Sequence, residues 1–160
     1  MGGPVVFVSD LGLRDEFVGV CHLVVARLAP DVRVVDLSHG VPPHDIMAGA
    51  MMLANGMAYA GTDAVGLAIV DPGVGTARLA VAVATVAGPR LVGPDNGLLS
   101  LAWRALGGVT AAVEIDAGRV GWRGSRRCST GATSSPPPPP TSRPARRSSG
   151  SGRRSIRRCS

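Results

Sequence analysis

Short apolar segments at regular spacing constrain the fold of this chain more than any other feature. Residues 4–9 and 65–70 are almost wholly apolar, residues 32–37 are apolar except for Arg33 and Asp36, and each segment ends beside a polar residue with a glycine close behind. Runs of this length, bounded by turn residues, are typical of strands that are buried on both faces. Segments with helical spacing separate them. The alternation predicts an α/β domain, a largely parallel sheet with helices on both faces.

The same patterns predict nine elements within the first 116 residues. The predicted helices are Asp15–Leu28, His44–Tyr59 and Leu98–Leu106, and the predicted strands are Pro4–Ser9, Val32–Leu37, Val65–Val70, Leu79–Val86, Arg90–Val92 and Thr110–Ile115. In the first helix, Asp15 and Glu16 are expected to place negative charge in the first turn, where the helix dipole favours it.

Charge divides the chain into two parts. Residues 1–120 contain all eleven acidic residues and seven of the seventeen arginines, so this body is mildly acidic. Residues 121–160 contain ten arginines and no acid, together with a run of five prolines and many serines. Such a composition has too few large apolar residues to form a core, which predicts a disordered basic tail. We therefore place a domain boundary at residue 120.

Several classes of protein do not fit this sequence. No segment approaches the roughly 20 uninterrupted apolar residues of a membrane span, and no secretion signal is evident, so we expect a cytoplasmic protein. Three irregularly spaced cysteines suit neither a disulfide framework nor a zinc site. The arginines of the tail are not interleaved with aromatic residues, which predicts at most non-specific binding of nucleic acid.

Acidic residues follow two of the predicted strands, Asp10 after the first and Asp71 after the third. Ligands of parallel sheets bind beyond the carboxyl ends of the strands, so these two residues are expected near a binding crevice. A carboxylate such as that of Asp10 can accept hydrogen bonds from the vicinal hydroxyls of a ribose. A helix cap or a turn is the more ordinary role for an aspartate in this position.

The segment IVDPGVGTARLAVAV, residues 69–83, is the most informative stretch. Gly73 and Gly75 allow the backbone to come close to a ligand. Asp71 opens the loop and Arg78 closes it, so the two side chains can pair, and the arginine would keep the carboxylate ionised. The alternative is a plain Asp-Pro-Gly turn with a surface ion pair.

The remaining polar candidates are weaker. The segment GPDNGLLS contains Asn96, which precedes a glycine and therefore also marks a turn. His22 is expected on a helix surface or half buried. His39 and His44 lie beside the end of the second predicted strand, where a structural role is the more common one.

Four segments taken together resemble a known family. FVSDLGLRDEFVGV, VVDLSHGVPPHDIMAGA, AIVDPGVGT and GPDNGLLS, in this order and spacing, are similar to the S-adenosylmethionine hydroxide adenosyltransferases, relatives of the adenosyl-chloride and adenosyl-fluoride synthases. The resemblance covers residues 4–116. It implies that water or hydroxide attacks the ribose C5′ of S-adenosylmethionine, releasing methionine and adenosine, with no metal and no organic cofactor.

The resemblance also implies roles for individual residues. Asp10 would hold the ribose hydroxyls, with Asp15 and Asn96 as further substrate-binding residues. Asp71 and Arg78 would be catalytic, working with a histidine further along the chain to orient and activate the water. The halide-using relatives carry a Tyr-Pro-x-Thr type of loop where this chain has Asp-Pro-Gly-Val at residues 71–74. The resemblance therefore groups this chain with the hydroxide users. The full-length form is expected to be a homotrimer with its site between subunits.

The tail departs from the family. The family continues with a motif close to F-H-G-R-D-x-F-A-P, which supplies the histidine, and with a C-terminal β-barrel-like domain; we expect this chain to lack both. The codons of residues 128–137, read one base out of frame with G or C at most free positions, can spell F-H-G-R-D-V-F-A-P. A chain with seventeen arginines and no lysine indicates such a GC-rich gene.

We therefore hypothesise that the reading frame slips near residues 117–127. The tail would then be out-of-frame sequence, and this form of the protein would be weakly active or inactive. Two alternatives remain open at this point: a non-catalytic binder of adenosine or S-adenosylmethionine, and a non-specific binder of nucleic acid that uses the arginine-rich tail.

Overall fold

The computed structural model describes residues 2–116 of the chain. The strands are β1 (Val5–Ser9), β2 (Val34–Ser38), β3 (Val65–Ile69), β4 (Ala80–Thr85), β5 (Arg90–Pro94) and β6 (Val109–Glu114), and the helices are α1 (Phe17–Leu28), α2 (Ile46–Met57) and α3 (Ser100–Ala105). Every predicted element is present, with its ends within two residues of the predicted positions. The tail at 121–160, the boundary at residue 120 and the hypothetical frame slip lie outside the described residues.

The six strands form one mixed sheet in the order β2-β1-β3-β5-β4-β6. Strand β1 pairs in parallel with β2 and β3, and β3 pairs in parallel with β5. Strand β4 runs antiparallel to both of its neighbours. The connection from β4 to β5, residues 86–89, is too short for a crossover and allows only a hairpin. The predicted α/β fold with a largely parallel sheet is confirmed, and β4 is the strand that reverses.

Strand β1 shows how helices cover both faces of the sheet. Val6 and Val8 are buried in the main apolar cluster together with residues of α2. Phe7 points to the opposite face, because successive side chains of a strand alternate. There its ring lies 6.4 Å from the ring of His22 on α1, measured between centroids. Helix α1 therefore covers the face opposite to α2.

The main core lies between the sheet and helices α2 and α3. Helix α2 packs directly over β3 at Gly66, where a Cβ atom would meet Leu53 Cδ1 at 3.2 Å and Leu91 Cδ2 at 2.9 Å. The side chains of Leu53 and Leu91 are both 0% exposed. Only glycine leaves room for this close approach, so the sequence of β3 fixes the distance between helix and sheet.

Asp15 precedes α1 and Asp45 precedes α2, and the carboxylate of each accepts a hydrogen bond from a backbone N–H. Helix α1 begins at Phe17 with Glu16 as its N-cap, so the prediction that Asp15 and Glu16 lie in the first turn is wrong. At α2 the carboxylate of Asp45 accepts a hydrogen bond from the N–H of Ala48 at 2.9 Å. This contact satisfies a backbone donor that the helix itself leaves unpaired.

One face of the sheet is only partly covered. The pairing registers place Phe7, Leu67, Val92, Ala82 and Val113 in one row across the sheet. Helix α1 covers the Phe7 end of this row, whereas Val113 is 60% exposed at the other end. The part of the row formed by Val92, Ala82 and Val113 lines a groove of about 320 Å³ with mainly apolar walls. The far half of this face is thus an exposed apolar surface.

The helices of the described residues are short. The longest two have 12 residues each. Within residues 2–116 no helix has the length and the apolar character needed to cross a membrane.

Candidate functional site

The predicted polar residues meet at one edge of the sheet. The N–H of Asp10 donates to the carbonyl of Ile69 at 3.2 Å, which joins the ends of β1 and β3. The side-chain amide of Asn96 donates to the carbonyl of Val70 at 2.9 Å, which joins the loop after β5 to the end of β3. Because β4 runs antiparallel, Arg78 just before it lies at the same edge. The expected gathering of polar residues at the carboxyl ends of the strands is present.

Asp71 and Arg78 form an ion pair across the loop between β3 and β4. The Nε atom of Arg78 lies 2.9 Å from Oδ1 of Asp71, and the side chains are 33% and 11% exposed, respectively. The N–H of Gly73 donates to the same carboxylate oxygen at 2.9 Å. The guanidinium also reaches the carbonyl of Asp95 through Nη1 at 3.2 Å. The pair is thus fixed on both sides and mostly removed from solvent on the carboxylate side.

Glycine is required at two positions of this loop. A Cβ atom at Gly73 would lie 2.9 Å from Arg78 Nε and 3.2 Å from Asp71 Oδ1. Gly75 has a φ of +85°, in the left-handed region that favours glycine. The small residue at position 73 therefore allows the backbone to approach the ion pair itself.

A cleft of about 260 Å³ opens beside the ion pair. Asp71 and Arg78 are the charged residues of its lining, and its other walls are apolar or backbone, including Leu67, Ile69 and Val92. Such a cavity, apolar with a few convergent polar groups, is typical of a small-molecule site. A roomier cleft of about 420 Å³ lies between β2 and α2, but its lining holds no charged side chain.

Asp10 and Asp15 do not line this cleft. Asp10 is half buried, and its Oδ2 atom accepts a hydrogen bond from the N–H of His44 at 3.0 Å. Asp15 is exposed in the loop before α1, and its carboxylate accepts from the N–H of Phe17 at 3.2 Å. Asp10 is thus close to the end of β3 that carries Asp71, while Asp15 is engaged locally at the start of α1.

Asn96 makes contacts with both ends of its side chain. Besides the bond from Nδ2 to Val70, its Oδ1 atom accepts from the N–H of Leu98 at 3.0 Å. The next residue, Gly97, has a φ of +90°. The turn expected from the sequence is present, and Asn96 ties it to the end of β3.

A second polar cluster, which the sequence analysis did not identify, lies on the face covered by α1. Asp36 Oδ1 is 2.9 Å from Nε2 of His22 and 3.1 Å from Nε2 of His39. His39 Nδ1 is 2.7 Å from the hydroxyl oxygen of buried Ser9. Partial burial acts to raise the pKa of Asp36, but the close contacts with His22 and His39 and the charge of these two residues prevail and lower it below its ordinary value.

A signal for this cluster exists in the sequence, but it is incomplete. Asp36 and His39 are three residues apart at the end of a predicted strand, and Ser9 ends the neighbouring one. His22 joins them only because α1 turns one particular face toward β1. That rotation depends on the packing around Phe7, which the sequence pattern does not specify.

Comparison with known proteins identifies close relatives. A family model described as the SAM hydroxide adenosyltransferase N-terminal domain matches residues 5–131. The (R)-S-adenosyl-L-methionine hydrolase of Salinispora arenicola is 53% identical over 124 residues, covering 78% of this chain and 46% of the relative. The protein of the same name from Thermus thermophilus is 51% identical over 100 residues, covering 62% of this chain and 38% of the relative.

A solved structure agrees with these relatives. A conserved hypothetical protein from Thermus thermophilus superposes with a TM-score of 0.66 at 45% identity, covering 74% of this chain and 49% of that protein. The chain thus spans less than half of the length of the curated relatives described above.

Proposed function

Since the chain belongs to the SAM hydroxide adenosyltransferase N-terminal domain family, we propose that it binds S-adenosylmethionine and that its complete form transfers the adenosyl group to water. The observation that carries this proposal is the Asp71–Arg78 pair, which lines a cleft at the carboxyl edge of the sheet. The names of the relatives, (R)-S-adenosyl-L-methionine hydrolase, support the same reaction.

The proposed reaction is an in-line displacement at C5′ of the ribose. The oxygen of water forms a bond to C5′ while the bond from C5′ to sulfur breaks, and the electron pair of that bond leaves with sulfur. The positively charged sulfonium departs as the neutral thioether of methionine, and the water proton passes to a base. Because the leaving group is already activated, the reaction needs no metal and no organic cofactor, and orientation of the water is the main task.

Asp71 is the residue that favours water over a halide as the nucleophile. A carboxylate accepts a hydrogen bond from water and so orients its lone pair toward C5′, whereas it repels a halide anion. Arg78, whose Nε atom lies 2.9 Å from Oδ1 of Asp71, holds this carboxylate in place. We assign these two residues the catalytic role.

Asp10 is proposed to bind the hydroxyls of the ribose. Its Oδ2 atom is engaged by the N–H of His44 at 3.0 Å, and within residues 2–116 no protein donor is hydrogen-bonded to Oδ1. That oxygen is therefore available to a ligand at the end of β1, next to the strand that leads to Asp71. Asn96 and Asp15 already make hydrogen bonds to nearby backbone groups. We therefore propose that they contribute less to substrate binding than Asp10 does.

Turnover by this chain is proposed to be weak. The sequence contains three histidines, His22, His39 and His44. In the described part of the chain none of them contacts Asp71 or Arg78. A frame-restored protein, in which the frame is shifted at the window 117–127, would regain the histidine of the F-H-G-R-D-x-F-A-P motif and is proposed to be the active form.

The exposed apolar half of the sheet face supports an assembly in the complete protein. Val113 and its neighbours on β4 and β6 form an exposed apolar surface, and such surfaces commonly mark sites of protein–protein contact. We propose that the homotrimer expected for the full-length form buries this surface.

Binding can be tested on the chain as it is. Calorimetric titration is expected to detect binding of both S-adenosylmethionine and adenosine, and Asp10→Asn is expected to weaken both by about 10-fold or more, because a hydrogen bond to a charged acceptor is lost. The control is Asp31→Asn, the same chemical change at an exposed loop position before β2. Absence of binding, or equal affinities for the Asp10 variant and the parent chain, would contradict the proposed site.

A further inference from the structure

The cluster of His22, Asp36 and His39 has the composition and geometry of a metal site. One ligand atom from each residue, two imidazole Nε2 atoms and a carboxylate oxygen, lies within 4.8 Å of the other two. A tetrahedral zinc ion about 2.0–2.2 Å from its N and O ligands needs separations of a little over 3 Å between them. The two measured separations from Asp36, 2.9 Å and 3.1 Å, are close to that requirement.

His39 provides an independent indication that a cation belongs in this cluster. Its side chain is 3% exposed. Its Nε2 atom is fully buried and has no hydrogen-bond partner in the described part of the chain, although Asp36 Oδ1 is 3.1 Å away. The contact is close enough for a hydrogen bond, but its direction is wrong. A buried imidazole nitrogen without a partner is costly, and a metal ion placed among the three residues would satisfy it.

The surroundings of His39 resemble those of a metal-binding histidine. Its Nδ1 atom lies 2.7 Å from the hydroxyl of Ser9, which is itself 0% exposed. When Nδ1 carries the proton and donates to this hydroxyl, the lone pair of Nε2 is directed toward the cluster. Fixing the tautomer in this way, through the nitrogen that does not bind the metal, is the usual arrangement for histidine ligands.

The elements of the fold hold the three ligands on one face of the sheet. Phe7 and Asp36 are direct partners in the pairing of β1 with β2, so their side chains project from the same face. The ring of Phe7 packs edge-on against His39, with centroids 4.7 Å apart, and lies 6.4 Å from the ring of His22. The aromatic ring thus forms an apolar floor beneath the cluster. His22 and Asp36 are 38% and 41% exposed, so an ion can enter from solvent.

We propose that His22, Asp36 and His39 bind a divalent transition-metal ion of the zinc class, with water in the fourth position. Two imidazoles and one carboxylate are a common ligand set for such ions, and three protein ligands leave one position open. The site lies on the α1 side of β1 and β2, and none of its residues lines the Asp71–Arg78 cleft. This proposal does not depend on the proposed adenosyl transfer.

Calorimetric titration with ZnCl₂ tests the site on the full chain carrying Cys128→Ser and Cys159→Ser, which removes the thiols outside the described residues. One equivalent of zinc is expected to bind. His22→Gln and Asp36→Asn are each expected to raise the dissociation constant at least about 10-fold, since even changes to residues that only orient a ligand cost 10–100-fold. His44→Gln, which alters the histidine outside the cluster, is the matched control and is expected to change it little.

Cobalt provides a second readout that does not depend on affinity alone. Co²⁺ bound by two histidines and one aspartate in four-coordinate geometry is expected to give strong visible absorption in the parent chain and in His44→Gln, and to lose it in His22→Gln. Circular dichroism verifies that each variant is folded; His22 is partly exposed, so its replacement leaves the core intact. The proposal would be overturned if no zinc binds, or if both cluster variants change the dissociation constant by less than about 10-fold. The cluster would then be a network of hydrogen-bonded His and Asp side chains without a metal.

Discussion

Replacing Asp71 with asparagine in the frame-restored protein is expected to lower the rate of adenosine release by about 100-fold or more, the typical contribution of a group that positions or accepts a proton. The amide keeps the size of the side chain but removes the charge that Arg78 now contacts at 2.9 Å. It also offers water a much weaker acceptor. The rate is measured by chromatography of adenosine and methionine at saturating S-adenosylmethionine.

Asp63→Asn is the matched control for this variant. Asp63 is exposed and precedes β3, whereas Asp71 follows it, so the two substitutions make the same chemical change at opposite ends of one strand. The control is expected to retain the parent rate. An Asp71→Asn protein that releases adenosine as fast as the control would remove Asp71 from the catalytic role.

Leu53→Ala is expected to destabilise the domain by about 2–5 kcal/mol, the range measured for large-to-small changes in well-packed cores. Leu53 is 0% exposed on α2 and lies over Gly66 of β3. A cavity there cannot be filled by the strand, because glycine has no side chain to move into it. The free energy of unfolding is measured by urea denaturation followed by circular dichroism.

Met51→Ala is the comparison on the same helix. Met51 is 53% exposed, so its truncation is expected to change the free energy of unfolding by no more than about 0.5 kcal/mol. If Leu53→Ala proves as mild as Met51→Ala, the packing of α2 on β3 described above is not what stabilises the domain.

The fold was predictable from the sequence because its signals are local. The position of β2 was predicted from a strand-like segment that ends at Ser-His-Gly, and that of β3 from an apolar run that ends at Asp-Pro-Gly. The positions of α1 and α2 were predicted from apolar residues at helical spacing. The direction of β4 was not predicted, because the apolar pattern of a strand is the same in either direction. Its reversal follows from the short hairpin at residues 86–89, a constraint of loop length instead of residue type.

The polar clusters also differ in whether local sequence signals predict them. The Asp71–Arg78 pair was predicted because both residues belong to one tight loop, so their proximity follows from sequence separation alone. The cluster of His22, Asp36 and His39 was not, because it joins α1 to the end of β2 and depends on the rotation of α1 over Phe7. The expected charge of Asp15 in the first turn was wrong because α1 begins two residues later, at Phe17.

Adenosyl transfer to water is tested most directly by incubating the frame-restored protein with S-adenosylmethionine in ¹⁸O-labelled water and analysing the products by mass spectrometry. The expected products are adenosine with one ¹⁸O in its 5′-hydroxyl and unlabelled methionine. The rate is expected to be about 100-fold or more above that of the present chain, because the histidine is restored. Adenosine without the label, or no methionine release from the frame-restored protein, would contradict adenosyl transfer to water.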